Sequence, residues 1–140
     1  MEIIVSSLSE TENVAKKFAK SLKGGERILL NGDLGAGKTT FTKFVAKALG
    51  VKDNVTSPTF TILKSYKGKK FMLYHFDMYR LEGGTEATGF GVEDYLYDLD
   101  NKSIVMIEWS DMIKDILSGN FIVVNITRES DTQRKIEIIR

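Results

Sequence analysis

The sequence predicts an α/β fold: one domain over residues 1–140, with a mixed, mostly parallel sheet flanked by helices and carrying an inserted β-hairpin. Three observations predict it. Strand-like runs alternate with segments of helical periodicity, the pattern that builds helices onto the faces of a sheet. A glycine-rich loop at residues 32–37 joins one such strand directly to one such helix. Finally, 140 residues with 42% hydrophobic and 28% charged side chains and one proline suit a chain that buries most of its unfolded surface around one core.

Taken in order, residues 2–5 form a short apolar strand. Ser9 and Glu12 then have the spacing of a helix capping box. Val14, Ala15, Phe18, Ala19 and Leu22 recur on one helical face with Lys16, Lys17 and Lys20 opposite, and Gly24-Gly25 ends the helix. Residues 27–31 carry the Ile-Leu-Leu of a buried strand and run into the glycines. From Lys38, the positions Phe41, Phe44, Val45, Ala48 and Leu49 share a helical face, and Gly50 stops it. Residues 60–66 and 71–75 are strand-like and joined by Lys67-Gly-Lys-Lys70, which predicts a hairpin. Residues 83–101 read as mostly loop, with one short helix near Glu93. Residues 104–107 are a buried strand, and 121–126 with 135–139 form a closing pair around a polar turn. The strand order stays open at this level.

Composition excludes several classes. Without cysteine there are no disulfides or thiolate metal sites, and a single histidine rules out the usual zinc constellations. No apolar run is long enough to cross a bilayer, and the start Met-Glu-Ile-Ile-Val lacks the pattern of an export signal, so a cytoplasmic protein without membrane contact is expected. Twenty basic against nineteen acidic side chains leave no overall charge argument for nucleic acid; RNA contact would need a local patch such as Lys64, Lys67, Lys69 and Lys70, which is equally readable as a solvated turn.

The decisive motif is Gly32-Asp-Leu-Gly-Ala-Gly37-Lys38-Thr39, which satisfies G-x-x-x-x-G-K-[ST] between a strand and a helix and makes the expected class a P-loop NTPase domain. Glycine permits backbone angles closed to other residues, so the N–H groups of Gly35, Ala36, Gly37 and the residues through Thr40 can turn toward phosphate oxygens at the positive end of the following helix. Lys38 is placed to bridge β- and γ-phosphates. Thr39 offers a hydroxyl to Mg²⁺, which prefers oxygen ligands and keeps several waters. A second acidic ligand is needed at a strand end, and two runs supply one: residues 104–107 lead into Glu108 and residues 71–76 into Asp77. The pattern alone does not rank them. Extended backbone places His75, Asp77 and Tyr79 on one face. In Thr56-Ser-Pro-Thr59-Phe60-Thr61, the proline stiffens the loop that presents Thr59, either as a γ-phosphate sensor or as an ordinary loop anchored by Phe60.

Together, Gly-Asp-Leu-Gly-Ala-Gly-Lys-Thr-Thr at 32–40, Ser-Pro-Thr-Phe at 57–60, His-Phe-Asp-Met-Tyr-Arg at 75–80 and Glu-Trp at 108–109 resemble, in order and spacing, the TsaE (YjeE) family. The resemblance implies an ATPase that works with the TsaB and TsaD proteins in bacterial synthesis of threonylcarbamoyl adenosine beside the tRNA anticodon, hydrolysing ATP to reset the assembly. Carried over by motif, the metal ligands fall on Thr39 and Glu108, the acidic residue essential for hydrolysis on Asp77, the switch threonine on Thr59, and further nucleotide contacts on Thr11 and Arg134. The chain departs from many relatives in having Ser110 rather than proline after Trp109. The implied reaction is attack of water on the γ-phosphate, with charge stabilised by Lys38, Mg²⁺ and loop amides. Arg80 is readable as a built-in arginine finger or as a partner for a carboxylate. Rival readings are an ATP-binding regulatory module with little turnover and a small-molecule kinase. A GTPase is disfavoured, because Asn101-Lys-Ser-Ile104 lacks the final aspartate of the guanine-reading motif and Asp-x-x-Gly does not occur.

Overall fold

The computed structural model describes residues 1–33, 35–56, 63–78, 91–97 and 102–140. In chain order the elements are β1 (Glu2–Val5), α1 (Leu8–Lys20), β2 (Arg27–Asn31), α2 (Lys38–Ala48), β3 (Leu63–Lys67), β4 (Met72–Asp77), α3 (Val92–Tyr97), β5 (Ser103–Glu108), a 3₁₀ helix (Ser110–Ile116), β6 (Ile122–Arg128) and β7 (Arg134–Ile139).

The strands form a seven-stranded sheet in the order β1-β7-β6-β2-β5-β4-β3. Its four central strands, β6, β2, β5 and β4, run parallel. Antiparallel strands finish both edges, with β3 beside β4 and the β7–β1 pair beside β6. All six residues of β5 are buried, which is why its sequence is a continuous apolar run without alternation. The expected α/β class and the hairpin are both present, and β4 extends two residues past the anticipated end, to Asp77.

Helices α1 and α2 cover one face. Their Phe18, Phe41 and Val45 pack with Ile28 and Leu30 of β2, Met106 of β5 and Val124 of β6, and the Phe18 and Phe41 rings lie 5.9 Å apart. The opposite face buries Phe76, Val105 and Ile107 beneath Leu96 of α3 and Ile113 of the 3₁₀ helix. Tyr95 packs edge-on to Tyr74 and Phe76.

The start of α1 corrects one expectation. The cap is Ser7, two residues before Ser9: Ser7 is extended at φ −155° and ψ 163°, and its side chain accepts from the Glu10 amide at 3.1 Å. Glu10 in turn accepts from the Ser6 amide at 2.7 Å. Both Ser-x-x-Glu pairs have capping-box spacing. The earlier one caps because Thr11 is buried within the helix and Glu12 points outward to Lys47, 3.0 Å away. The short helix expected near Glu93 is α3, while the rest of residues 83–101 lies largely outside the described residues, as do residues 60–62 of the first hairpin strand.

Candidate functional site

The carboxyl ends of the parallel strands meet the start of α2, and there the site is built. Leaving β2, the chain must pass tightly under β6. A Cβ on Gly32 would stand 2.6 Å from the Ile126 carbonyl oxygen, so only glycine fits. Gly35 (φ 79°) and Gly37 (φ 107°) then adopt left-handed conformations, and Gly37 takes the cap position of α2 without a side-chain bond to the helix amides. Ala36 is buried at the crest of the turn. The loop thus leads into a helix N-terminus with no acidic residue in its first turn, an arrangement that suits anions.

Lys38 opens α2 and is only 6% exposed. Its Nζ sits 3.7 Å from the centroid of the Trp109 ring. Burial lowers its pKa from 10.5, and Glu108, Asp77 and Asp33 oppose that shift as neighbouring negative charges. Asp77 and Glu108 are the last residues of β4 and β5, stand opposite each other in the parallel register, and are each 3% exposed. The two strand ends that sequence could not rank therefore converge on one lysine. Fully buried His75 shares the Asp77 face of β4, and its Nε2 lies 2.5 Å from Glu108 Oε2.

Thr39 and Thr40 are half-buried in the first turn of α2. With Asp77 and Glu108 they give a set of hard oxygen donors that suits Mg²⁺. Among the described residues no three His, Cys, Asp or Glu side chains group into a self-sufficient cage. That is the donor count expected where phosphate and water oxygens complete the shell.

A cleft of about 330 Å³ continues from the loop and is lined by Thr11, Gly35, Ala36, Gly37, Thr40 and Arg134, among others. Thr11 holds its hydroxyl against the Ser7 carbonyl at 3.2 Å. Arg134 donates from Nε to the Ala36 carbonyl at 3.2 Å and from Nη1 to the Ser130 and Gln133 carbonyls. Residues 98 apart in sequence are thereby tied together at the loop. Thr59 and Arg80 lie outside the described residues. A larger groove of about 720 Å³, between β1 and α1, contains none of the site residues.

Two features escape sequence reading. The sequence pattern does not show where Trp109 points: its backbone is left-handed at φ 58°, which turns the ring over Lys38. That conformation is uncommon for a bulky residue and is a local backbone strain. The His75–Glu108 contact needs β4 and β5 to be neighbours; strand alternation had already put His75 beside Asp77, but nothing local names the adjoining strand.

A glycine-rich loop of G-x-x-x-x-G-K-[ST] type between a central parallel strand and its helix, with buried carboxylates at the ends of the two strands beyond it in the sheet, defines a P-loop α/β protein. Residues 5–136 match the profile of the family described as threonylcarbamoyl adenosine biosynthesis protein TsaE. The TsaE of Rickettsia prowazekii is 45% identical over 87% of this chain and 83% of its own. That of Bacillus subtilis is 40% identical over 91% and 77%, and that of Aquifex aeolicus 38% over 99% and 96%. The crystal structure of Bacillus subtilis YdiB superposes with a TM-score of 0.80 at 34% identity, covering 97% of this chain and 82% of that one. The chain belongs to the TsaE family.

Proposed function

We propose that this chain is the ATPase component of tRNA threonylcarbamoyladenosine synthesis, binding and hydrolysing Mg-ATP to drive or reset a TsaB–TsaD transfer complex. Its relatives are named for that biosynthesis, and the observation that carries the ATPase reading is the convergence of Lys38, Asp77 and Glu108 at the head of α2.

In this reading Gly35, Ala36, Gly37, Lys38, Thr39 and Thr40 hold the phosphates, and Thr11 and Arg134 flank the nucleoside side of the cleft. Thr39 and Glu108 would hold Mg²⁺, which would supply positive charge to offset the negative charge of the phosphates. Lys38 follows the charge that moves onto those oxygens in the transition state, and its buried position strengthens the interaction. Asp77 orients the attacking water or a water on the metal. Thr59 reports the γ-phosphate.

Lys38 lies against the Trp109 ring, and a second reading of the same site is an ATP-binding regulatory module with little turnover of its own. Phosphate release from Mg-ATP, measured alone and with the TsaB–TsaD pair, separates them. Strong stimulation supports the partner-driven ATPase; tight binding with the same negligible rate in both supports the regulatory module; preference for GTP or for an added small-molecule acceptor overturns both. Lys38→Ala should abolish turnover, and full activity in that variant would end the enzyme reading. Lys67, Lys69 and Lys70 are exposed on the hairpin turn, whereas Lys64 is bonded to the Thr56 hydroxyl at 2.5 Å. Charge reversal of those three exposed lysines tests whether the assembly's tRNA contact, direct or indirect, runs through this chain.

A further inference from the structure

His75, the one histidine of the chain, is fully buried on a strand where an aliphatic residue would pack without polar cost. Its Nε2 lies 2.5 Å from Glu108 Oε2, whereas Nδ1 is buried with no hydrogen-bond partner among the described residues. A half-satisfied imidazole in a core disfavours folding, so packing does not explain this residue. Its bonding capacity is spent on one carboxylate oxygen.

The register explains how. Asp77 stands opposite Glu108 and His75 opposite Met106, two residues further back along β5. The ring therefore reaches forward along the sheet face and holds the Glu108 side chain from beneath, on the side away from the strand ends. A glutamate has three rotatable side-chain bonds, and a donor fixed to Oε2 removes that freedom and leaves Oε1 directed elsewhere. Outer partners of this kind orient metal-binding carboxylates and set the affinity of the site.

We propose that His75 is a positioning residue that presents Glu108 to the divalent cation of the nucleotide complex. This inference rests on the Mg-nucleotide reading above. It acts through Glu108 alone, so it governs metal affinity and leaves metal-free nucleotide binding untouched.

The test is titration of Mn²⁺ into the ADP complex, followed by electron paramagnetic resonance of the free ion, alongside ADP affinity in EDTA and thermal melting. His75→Leu should weaken Mn²⁺ about 10- to 100-fold, in the range known for outer-shell losses, with ADP affinity in EDTA unchanged. His75→Gln, whose amide nitrogen reaches the same oxygen, should recover most of the loss; His75→Asn, which is too short, should not. In a Glu108→Gln background, His75→Leu should add nothing. Wild-type Mn²⁺ affinity in His75→Leu, a parallel loss of metal-free ADP affinity, or full additivity with Glu108→Gln would each overturn the proposal. If His75→Leu does not fold, the Gln and Asn variants decide, and equal Mn²⁺ affinities in them overturn it. A wild-type chain that binds ADP neither with nor without metal would remove the functional reading and this inference with it. Intact binding with unchanged variants would remove this inference alone.

Discussion

Lys38 carries a charge inside the protein, against the face of an aromatic ring and beside carboxylates. A cation over an indole is worth about 0.5 to 2 kcal/mol depending on desolvation, small enough to yield to a phosphate. The chain's only tryptophan is thus a built-in reporter. Its emission should change when Mg-ATP draws Lys38 away, and in the same direction in free Lys38→Met; an unchanged spectrum in both would refute the contact. Burial also predicts a pH effect. Lys38 has a lower pKa folded than unfolded, so between the two values the unfolded chain binds more protons, and unfolding free energy rises with pH across that window below 10.5. In metal- and nucleotide-free protein, wild type should therefore gain stability relative to Lys38→Met as pH climbs toward 10.5, as followed by urea unfolding; the opposite slope would mean that the carboxylates outweigh desolvation.

At the scale of elements, helical periodicity located both long helices, because each buries one face and that burial leaves a repeat in the sequence, whereas the strands showed as short apolar runs, β5 without alternation because both its faces are buried. Sequence reading misplaced the α1 cap by two residues. Two overlapping Ser-x-x-Glu pairs are equivalent locally, and only the docking of Thr11 and the reach of Glu12 to Lys47 choose between them. Ser7→Ala should cost about 1 kcal/mol in urea unfolding and Ser9→Ala a few tenths; the reverse order would restore the first expectation. Gly32→Ala should cost more, about 1 to 3 kcal/mol, because the added methyl meets the Ile126 carbonyl, which belongs to the backbone of a neighbouring strand and cannot rotate away.

For the whole molecule, the site is an intersection of distant segments. It draws on the loop after β2, the ends of β4 and β5, the start of α1 and the start of β7. A ligand bound across these segments stabilises all of them together. Mg-ATP at 100 times its dissociation constant should add about 2.7 kcal/mol, roughly 10 °C in melting temperature for a chain this size, and GTP should add less. Equal shifts with both nucleotides would count against ATP selectivity. No described helix is long and apolar enough to cross a membrane.

The sequence by itself determined the loop motif, because its glycines and Lys38 lie in one contiguous stretch and the positive-φ conformations of Gly35 and Gly37 are local. It also determined that a carboxylate ends each of two strands and that His75 and Asp77 share a face. What it left open was decided by the strand order. Placing β4 next to β5, and β5 next to β2, joins Asp77 and Glu108 to each other and to Lys38 and turns His75 onto Glu108, while β6 and then β7 on the other side of β2 bring Arg134 back to Ala36. Those contacts depend on which strands pair across the sheet, and pairing between segments tens of residues apart leaves no periodic trace in either one.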